Sequence, residues 1–259
     1  MAEKLKVVGL SKTYIVDQGT PYAKEIPALE DVTLTVSSGE FVTIIGPSGC
    51  GKSTFLMIVA GLVPKTSGEI FLDGKPVKGP GLDRGVVFQE FALFPWMTVE
   101  ENICFGLEMK GVPRRERHEI ARRYIDLVGL RGFEHTYPFR LSGGMKQRVA
   151  VARALAYEPA VLLMDEPFGQ LDAQTRGQLQ KMLNDIWERT RTTVLFVTHN
   201  IREAIYLADR VVVFSERPGR VVEEIVVDLP RPRDPWSEKF FAYQRAVAEA
   251  LGGERAGFF

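Results

Sequence analysis

Three observations predict an α/β fold with an antiparallel β segment at its front and a helical insertion in its middle. First, a short apolar, β-branched run from Glu40 to Ile45 passes straight into Gly46-Pro47-Ser48-Gly49, and a helical pattern follows from Lys52 to Leu62. Strand, glycine-rich loop and helix together open a nucleotide-binding α/β unit. Second, Ala160 to Met164 and Thr193 to Thr198 are continuous apolar runs, as expected of strands buried on both faces. Third, Asp172 to Arg189 reads as the helix between them, so strand and helix alternate.

The remaining elements follow in order. Leu5 to Leu10 and Leu29 to Val36 alternate partly between apolar and polar residues and read as antiparallel strands. Asp17 to Pro27, with Gly19, Pro21 and Pro27, reads as the loop joining them. Gly85 to Phe88 is a further strand. Thr98 to Leu130 is helix-rich, with a break at Gly111-Val112-Pro113, and another helix begins after Ser142 and ends near Tyr157. Val211 to Phe214 and Val221 to Val227 are late strands. Trp236, Phe240, Val247 and Leu251 fall on one face of a final helix that packs on the body of the chain, and Gly252 to Phe259 reads as a frayed end. There are no internal repeats.

The bulk properties exclude several classes. At 259 residues, with 45% hydrophobic and 25% charged, the chain has the make-up of a globular protein. Lys+Arg and Asp+Glu are both 33, so bulk charge gives no reason to expect a nucleic-acid partner. Two cysteines, Cys50 and Cys104, are too few for a disulfide scaffold and fit a reduced, cytosolic setting. The opening residues lack the apolar core of a signal peptide, and no run approaches the ~20 apolar residues of a spanning helix. Only about thirty residues follow Leu229, too few for an independent core, so no added C-terminal domain is expected.

Chemistry concentrates in three segments. Gly46-Pro47-Ser48-Gly49-Cys50-Gly51-Lys52-Ser53 matches G-x-x-x-x-G-K-[ST]. Its glycines let backbone N–H groups turn toward phosphate oxygens, and the following helix adds its positive dipole end. Lys52 brings a charge to the outer phosphates and the Ser53 hydroxyl is a ligand for Mg²⁺. Cys50 lies beside that helix N-terminus and Lys52, both of which favour a reactive thiolate. Val161-Leu162-Leu163-Met164-Asp165-Glu166 is an apolar strand ending in two carboxylates. Asp165 is suited to hold Mg²⁺ and Glu166 to polarise an attacking water. In Leu141-Ser142-Gly143-Gly144-Met145-Lys146-Gln147-Arg148, Ser142 is a good N-cap and two glycines open the helix, a second anion-binding helix end.

With these motifs in this order, Leu141-Ser142-Gly143-Gly144 resembles the hallmark of the ABC ATPase family, and the likeness extends over nearly the whole chain. The resemblance implies a P-loop NTPase fold with a RecA-like core. It implies an ATPase domain over residues 1–230, holding a helical subdomain at about 90–157, and a helix and tail over 231–259. Gly46 to Thr54 would bind ATP, with Mg²⁺ held by Ser53, Gln89 and Asp165. Glu166, His199, Gln89 and Lys52 would serve hydrolysis, His199 as the switch histidine that reaches the γ-phosphate. Tyr14 resembles the aromatic that stacks on adenine, although an aromatic in this strand also suits a core. Asp172, in Gly169-Gln170-Leu171-Asp172, resembles the loop that crosses to a second subunit. His118 and His135 have no such placement and read as solvated. Gln170 and Arg140 depart from the pattern, where a small residue and a glutamine are usual.

In such proteins two chains meet head to tail, and Ser142, Gly143 and Gly144 of each close the ATP of the other. The resemblance therefore implies a second copy of the chain, transmembrane permease subunits, and indirectly a substrate-binding protein, at the cytoplasmic face of the inner membrane. Glu90 to Met97 is aromatic-rich. It either receives a short helix of the permease or packs the helical subdomain, and the two are compatible. Phe214-Ser215-Glu216-Arg217-Pro218-Gly219-Arg220 and Leu229-Pro230-Arg231-Pro232-Arg233-Asp234 resemble the nitrate/sulfonate/taurine group of importer ATPases, so the expected cargo is a small anion or sulfonate-like solute. A non-transport ABC switch of the DNA-maintenance or translation type is the rival, but the first carries a long coiled coil and the second two cassettes in one chain.

Overall fold

The computed structural model describes residues 2–17, 19 and 22–252. The chain forms two compact units, Met1–Pro80 with Thr193–Phe259, and Gly81–Thr192.

The first unit contains two sheets. Strands β1 (Glu3–Val16), β2 (Lys24–Ser37), β4 (Ser67–Leu72) and β5 (Lys75–Pro76) make an antiparallel sheet in the order β2-β1-β4-β5. Both leading strands run further than their alternating patterns predict. The loop expected from Asp17 to Pro27 is correspondingly shorter: Thr13 pairs with Pro27 and Val16 with Lys24. Pro27 escapes the usual ban on proline in strands because β2 lies at the sheet edge, where a missing N–H leaves no ladder bond unmade. Pro21 of that expected loop lies outside the described residues. The β4–β5 hairpin has no counterpart in the sequence reading. Its turn is Asp73-Gly74, with φ 49° and 71°, the two-residue geometry whose twist suits a tight hairpin.

The second sheet of this unit orders β10 (Val221–Val226), β9 (Arg210–Phe214), β3 (Phe41–Ile45) and β8 (Thr193–Thr198). β3 is parallel to both β8 and β9, and every residue of β3 and β8 is buried, as the continuous apolar runs require. Helix α1 (Lys52–Val59) stops short of the predicted Leu62. Helix α6 (Ile201–Leu207) was not foreseen; seven residues are too few for a clear 3.6-residue period. Helix α7 (Glu238–Ala250) buries Phe240 and Val247. Trp236 does not share that face. It precedes the Ser237 N-cap, is 72% exposed, and lies under the Arg202 guanidinium at 4.8 Å. Residues 253–259 of the expected frayed end lie outside the described residues.

In the second unit, β6 (Arg84–Val87) and β7 (Val161–Asp165) pair in parallel. Helices α2 (Val99–Met109) and α3 (Arg114–Leu127) are broken apart at Gly111-Val112-Pro113 as predicted. Thr98 starts α2 through a reciprocal capping box with Glu101. A single 3₁₀ turn (Pro138–Arg140) leads into α4 (Gly143–Ala156), and α5 (Ala173–Thr190) follows β7.

Candidate nucleotide site

The parallel registers decide which side chains emerge together. Within the first unit Ile45 pairs with Thr198, so the phosphate loop after β3 and His199 after β8 leave the same end of adjacent strands. Strand C-terminal ends are where ligands bind in open α/β sheets. Within the second unit Val87 pairs with Met164, so Gln89 and the Asp165-Glu166 pair also leave one end.

The phosphate loop is shaped by backbone that only glycine allows. Gly51, the N-cap of α1, has φ 107°, and a Cβ there would lie 2.6 Å from the Ala28 carbonyl oxygen. Gly46 is equally confined, since its Cβ would lie 2.9 Å from Cys50 Sγ. Lys52 is 5% exposed and donates to the carbonyls of Gly46 (2.8 Å) and Pro47 (3.0 Å). Its ammonium is thus held at the mouth of the loop by acceptors that phosphate oxygens can replace. Ser53 and Thr54 follow in the first turn, and Tyr14 Oη stands 3.5 Å from Thr54 Oγ1. Tyr14 is 38% exposed, not a core aromatic, and Lys12 Nζ covers one of its faces at 4.7 Å. The loop thus suits an anion, and the half-open tyrosine suits a flat base.

Cys50 corrects the expectation of a reactive thiol. It does neighbour Lys52 Nζ, at 4.0 Å, but it is 1% exposed and turned into the core. A neighbouring cation confers reactivity only where a reagent can reach the sulfur.

In the second unit Asp165 ends β7 at 6% exposure, and Glu166 follows with φ 40°, a left-handed backbone rare for a residue with a side chain. A Cβ on Gly169 would lie 3.8 Å from Glu166 Oε2 and 3.9 Å from Gln89 Nε2, so the carboxylate and the amide flank one glycine. Ser142 Oγ caps α4 by accepting from the Met145 N–H at 3.3 Å. Gly144 admits α5: a Cβ there would lie 2.5 Å from Thr175 Cγ2. Asp172 caps α5, and the Thr175 amide, then its hydroxyl, holds the Asp172 carboxyl below the usual carboxylate range. Gln170 and Arg140 are both exposed.

His199 is exposed and set in a stiff junction. Thr198 Oγ1 bonds to Glu203 and accepts from the Asn200 N–H, while Asn200 caps α6. His118 is not simply solvated as expected. Its Nδ1 lies 3.0 Å from Oε1 of buried Glu100, and the Arg122 guanidinium reaches the same oxygen at 3.4 Å, a cation beside a buried carboxylate. His135, 85% exposed and 4.0 Å from Glu100, is largely solvated.

The Glu90–Met97 loop divides its aromatics. Phe94 packs on Phe105 at 4.6 Å, and Arg153 holds the loop through the carbonyls of Ala92 and Phe91. Trp96 is 69% exposed and lines an open groove of about 490 Å³ with Tyr137, Phe139 and Arg140. Asn102, which no motif marks in the sequence, organises this loop. Fully buried, its Nδ2 shares two protons among the carbonyls of Phe94, Met97 and Thr98, and its Oδ1 accepts from the Phe94 N–H. An asparagine four residues past a helix cap was its only signal.

A phosphate loop, a carboxylate pair at a strand end and a serine-capped helix opening on two glycines define an ATP-binding cassette. The profile of the ABC transporter family matches residues 29–169. The chain is 53% identical to an uncharacterized ABC transporter ATP-binding protein of Methanocaldococcus jannaschii, over 98% of this chain and 93% of the relative. It is 44% identical to the nitrate import ATP-binding protein NrtD of Synechocystis sp. (96% and 95% covered) and 45% identical to the aliphatic sulfonates import ATP-binding protein SsuB of Bacillus cereus (98% and 97%). Among solved structures, a dimeric structure of the bacterial ABC transporter cassette MJ0796 matches with a TM-score of 0.76 at 34% identity, covering 87% of this chain and all of that one. A dimeric post-hydrolysis state of the same cassette bound to ADP and Pi matches at 0.74. The chain belongs to the ABC transporter family, as an ATP-binding, ATP-hydrolysing subunit of the RecA-like fold with an N-terminal β subdomain and an inserted helical subdomain.

Proposed function

We propose that this chain powers import of a small anion or sulfonate-like solute, working as a head-to-tail pair beneath a permease at the cytoplasmic face of the membrane. The observation that carries the paired mechanism is the second anion-binding helix end, α4 capped by Ser142, carried in addition to the phosphate loop. Both solved structures of the matching cassette are dimeric, and the cargo class follows the names of the nitrate and sulfonate relatives. No helix among the described residues is long and apolar enough to cross a membrane, so passage needs a partner.

In this reading residues 1–230 form the ATPase domain. Tyr14 stacks on adenine, and Gly46 to Thr54 wrap the phosphates. Mg²⁺, held by Ser53, Gln89 and Asp165 together with phosphate oxygens, would neutralise charge on the outer phosphates. Glu166 orients and polarises the attacking water, and Gln89 shares that water with it. His199 reaches the γ-phosphate and keeps Glu166 in place. Ser142, Gly143 and Gly144 of one copy close the ATP of the other, and Asp172 lies at the crossing loop. Loss of the bridging phosphate then lets the copies part. The groove beside Trp96 and Phe139 takes a helix of the permease.

Uptake tests the reading. A strain lacking this chain should lose accumulation of one labelled solute among nitrate, taurine and alkanesulfonates. The wild-type chain should restore it and the Glu166→Gln chain should not. Unchanged uptake of all of them would reject the cargo class, and with it favour a non-transport switch.

A further inference from the structure

Three stretches of backbone far apart in sequence converge within the first unit. Gly219 donates its N–H to the Ala28 carbonyl at 2.9 Å and accepts from the Glu30 N–H at 3.1 Å, which adds it beside Leu29 as a bridge partner of β2. A Cβ on Gly219 would lie 2.3 Å from the Cys50 carbonyl oxygen, inside the phosphate loop. Gly51, from that loop, meets Ala28 at a comparable 2.6 Å. Ala28, Cys50 and Gly219 thus touch backbone to backbone, with no room for a side chain at Gly219 or Gly51.

The same turn reaches the tyrosine hairpin. Arg217 Nε donates to the Pro27 carbonyl at 3.1 Å. Pro27 pairs with Thr13, and the next pair along the ladder is Tyr14 with Ile26. The turn itself is stiff: Ser215 Oγ has the carbonyls of Glu216 and Pro218 in reach of its one proton and accepts from the Arg220 N–H. It therefore holds the base of the Tyr14 hairpin at one end and the phosphate loop at the other.

We propose that the Ser215–Arg220 turn is a strut that sets the spacing between the base-stacking tyrosine and the phosphate loop, with Arg217 and Gly219 as its positioning residues. Neither touches nucleotide. The proposal rests on the assignment of Tyr14 and the phosphate loop to ATP. A ligand engaging both ends binds best when their separation is fixed beforehand, because loose ends must be ordered at a cost in affinity. A ligand with phosphates alone does not sense the spacing. It senses only the loop, and hence Gly219 but not Arg217.

The full chain titrated calorimetrically with ATP and with tripolyphosphate separates these effects. Arg217 is exposed, so Arg217→Ala leaves the core intact. It should weaken ATP about threefold or more, the scale of one lost hydrogen bond, and leave tripolyphosphate unchanged. Arg217→Lys retains a donor for the Pro27 carbonyl and should recover ATP affinity. Gly219→Ala presses on the Cys50 carbonyl and should weaken both ligands about tenfold or more. Equal weakening of both ligands by Arg217→Ala, no weakening of ATP, failure of lysine to recover it, or wild-type binding by Gly219→Ala would each overturn the strut. If Gly219→Ala does not fold, the Arg217 variants decide alone. A wild-type chain that binds neither ligand would instead sink the assignment of the phosphate loop to nucleotide.

Discussion

At the scale of single residues, Lys52 and Glu166 are held by different forces and should fail differently. Lys52 is buried to 5% exposure, with its charge resting on two loop carbonyls, poised to exchange them for phosphate. In the role proposed for it, Lys52 meets the phosphates in both ground and transition states, so Lys52→Ala should lower ATP affinity itself. Glu166 sits on a left-handed backbone at φ 40°, conformational strain that the end of β7 and the Gly169 N–H to Glu166 carbonyl bond at 3.1 Å sustain. Glu166→Gln keeps that shape and loses only the carboxylate. ATP binding should survive while turnover drops by about 10² or more, the contribution of a positioned base. Equilibrium binding beside steady-state phosphate release checks both. A Glu166→Gln chain with wild-type turnover would remove the residue from the chemistry.

At the scale of elements, the Leu229–Asp234 segment is explained by where its arginines go. Arg233 is 5% exposed and donates to the carbonyls of Ile205, Ala208, Val227 and Leu229, so one guanidinium gathers the end of α6 and the chain leaving β10. Burial, and then the nearby charge of Arg231, pushes it down to about 10, still charged at neutral pH. Arg231 ties in beside it through Asp209 and the Leu207 carbonyl. Arg233→Met fills the space but strands four carbonyls in a dry site, and should cost about 3 kcal/mol or more, read as a lowered denaturant midpoint. Arg233→Lys should recover little of it, since one ammonium cannot span a planar fork of acceptors. A change under about 0.5 kcal/mol would show that the segment is held by its apolar contacts alone. The sequence marked this motif as distinctive without disclosing its work, because a buried arginine looks like an exposed one until its acceptors are known. The same limit hid Asn102, whose partners are carbonyls, and the Gly219 contact, which joins residues nearly two hundred apart. What the sequence did disclose were elements with a long period or an uninterrupted apolar run: β3, β7, β8 and the broken pair α2 and α3. The Gly46–Ser53 segment, Asp165-Glu166 and Ser142 stood out in the sequence because their spacing is local, and the roles proposed for them await the tests above. Cys50 was misjudged because spacing gives proximity to Lys52 but says nothing of burial.

At the scale of the whole molecule, the head-to-tail pair proposed above has the Ser142-capped helix of one copy close the ATP held by the phosphate loop of the other. If the copies close on ATP, hydrolysis is what reopens them, and blocking hydrolysis should trap the pair. Glu166→Gln provides the block without touching the phosphate contacts. Purified at high concentration, loaded with ATP while Mg²⁺ is withheld and then supplied with it, this variant should elute from size-exclusion chromatography with light scattering at twice the monomer mass. The same protein with ADP should remain single. Ser142→Arg placed in the Glu166→Gln background should abolish the pair, because a bulky cation at the end of α4 blocks the approach of a second copy's phosphates while leaving its own phosphate loop unchanged. That contrast matters, since a pair held by surface apolar patches alone would form with either nucleotide and ignore Ser142. Persistence of the pair in ADP, or in the doubly altered chain, would place the contact elsewhere. A Glu166→Gln chain that binds ATP tightly yet stays single at high concentration would overturn the shared-site mechanism.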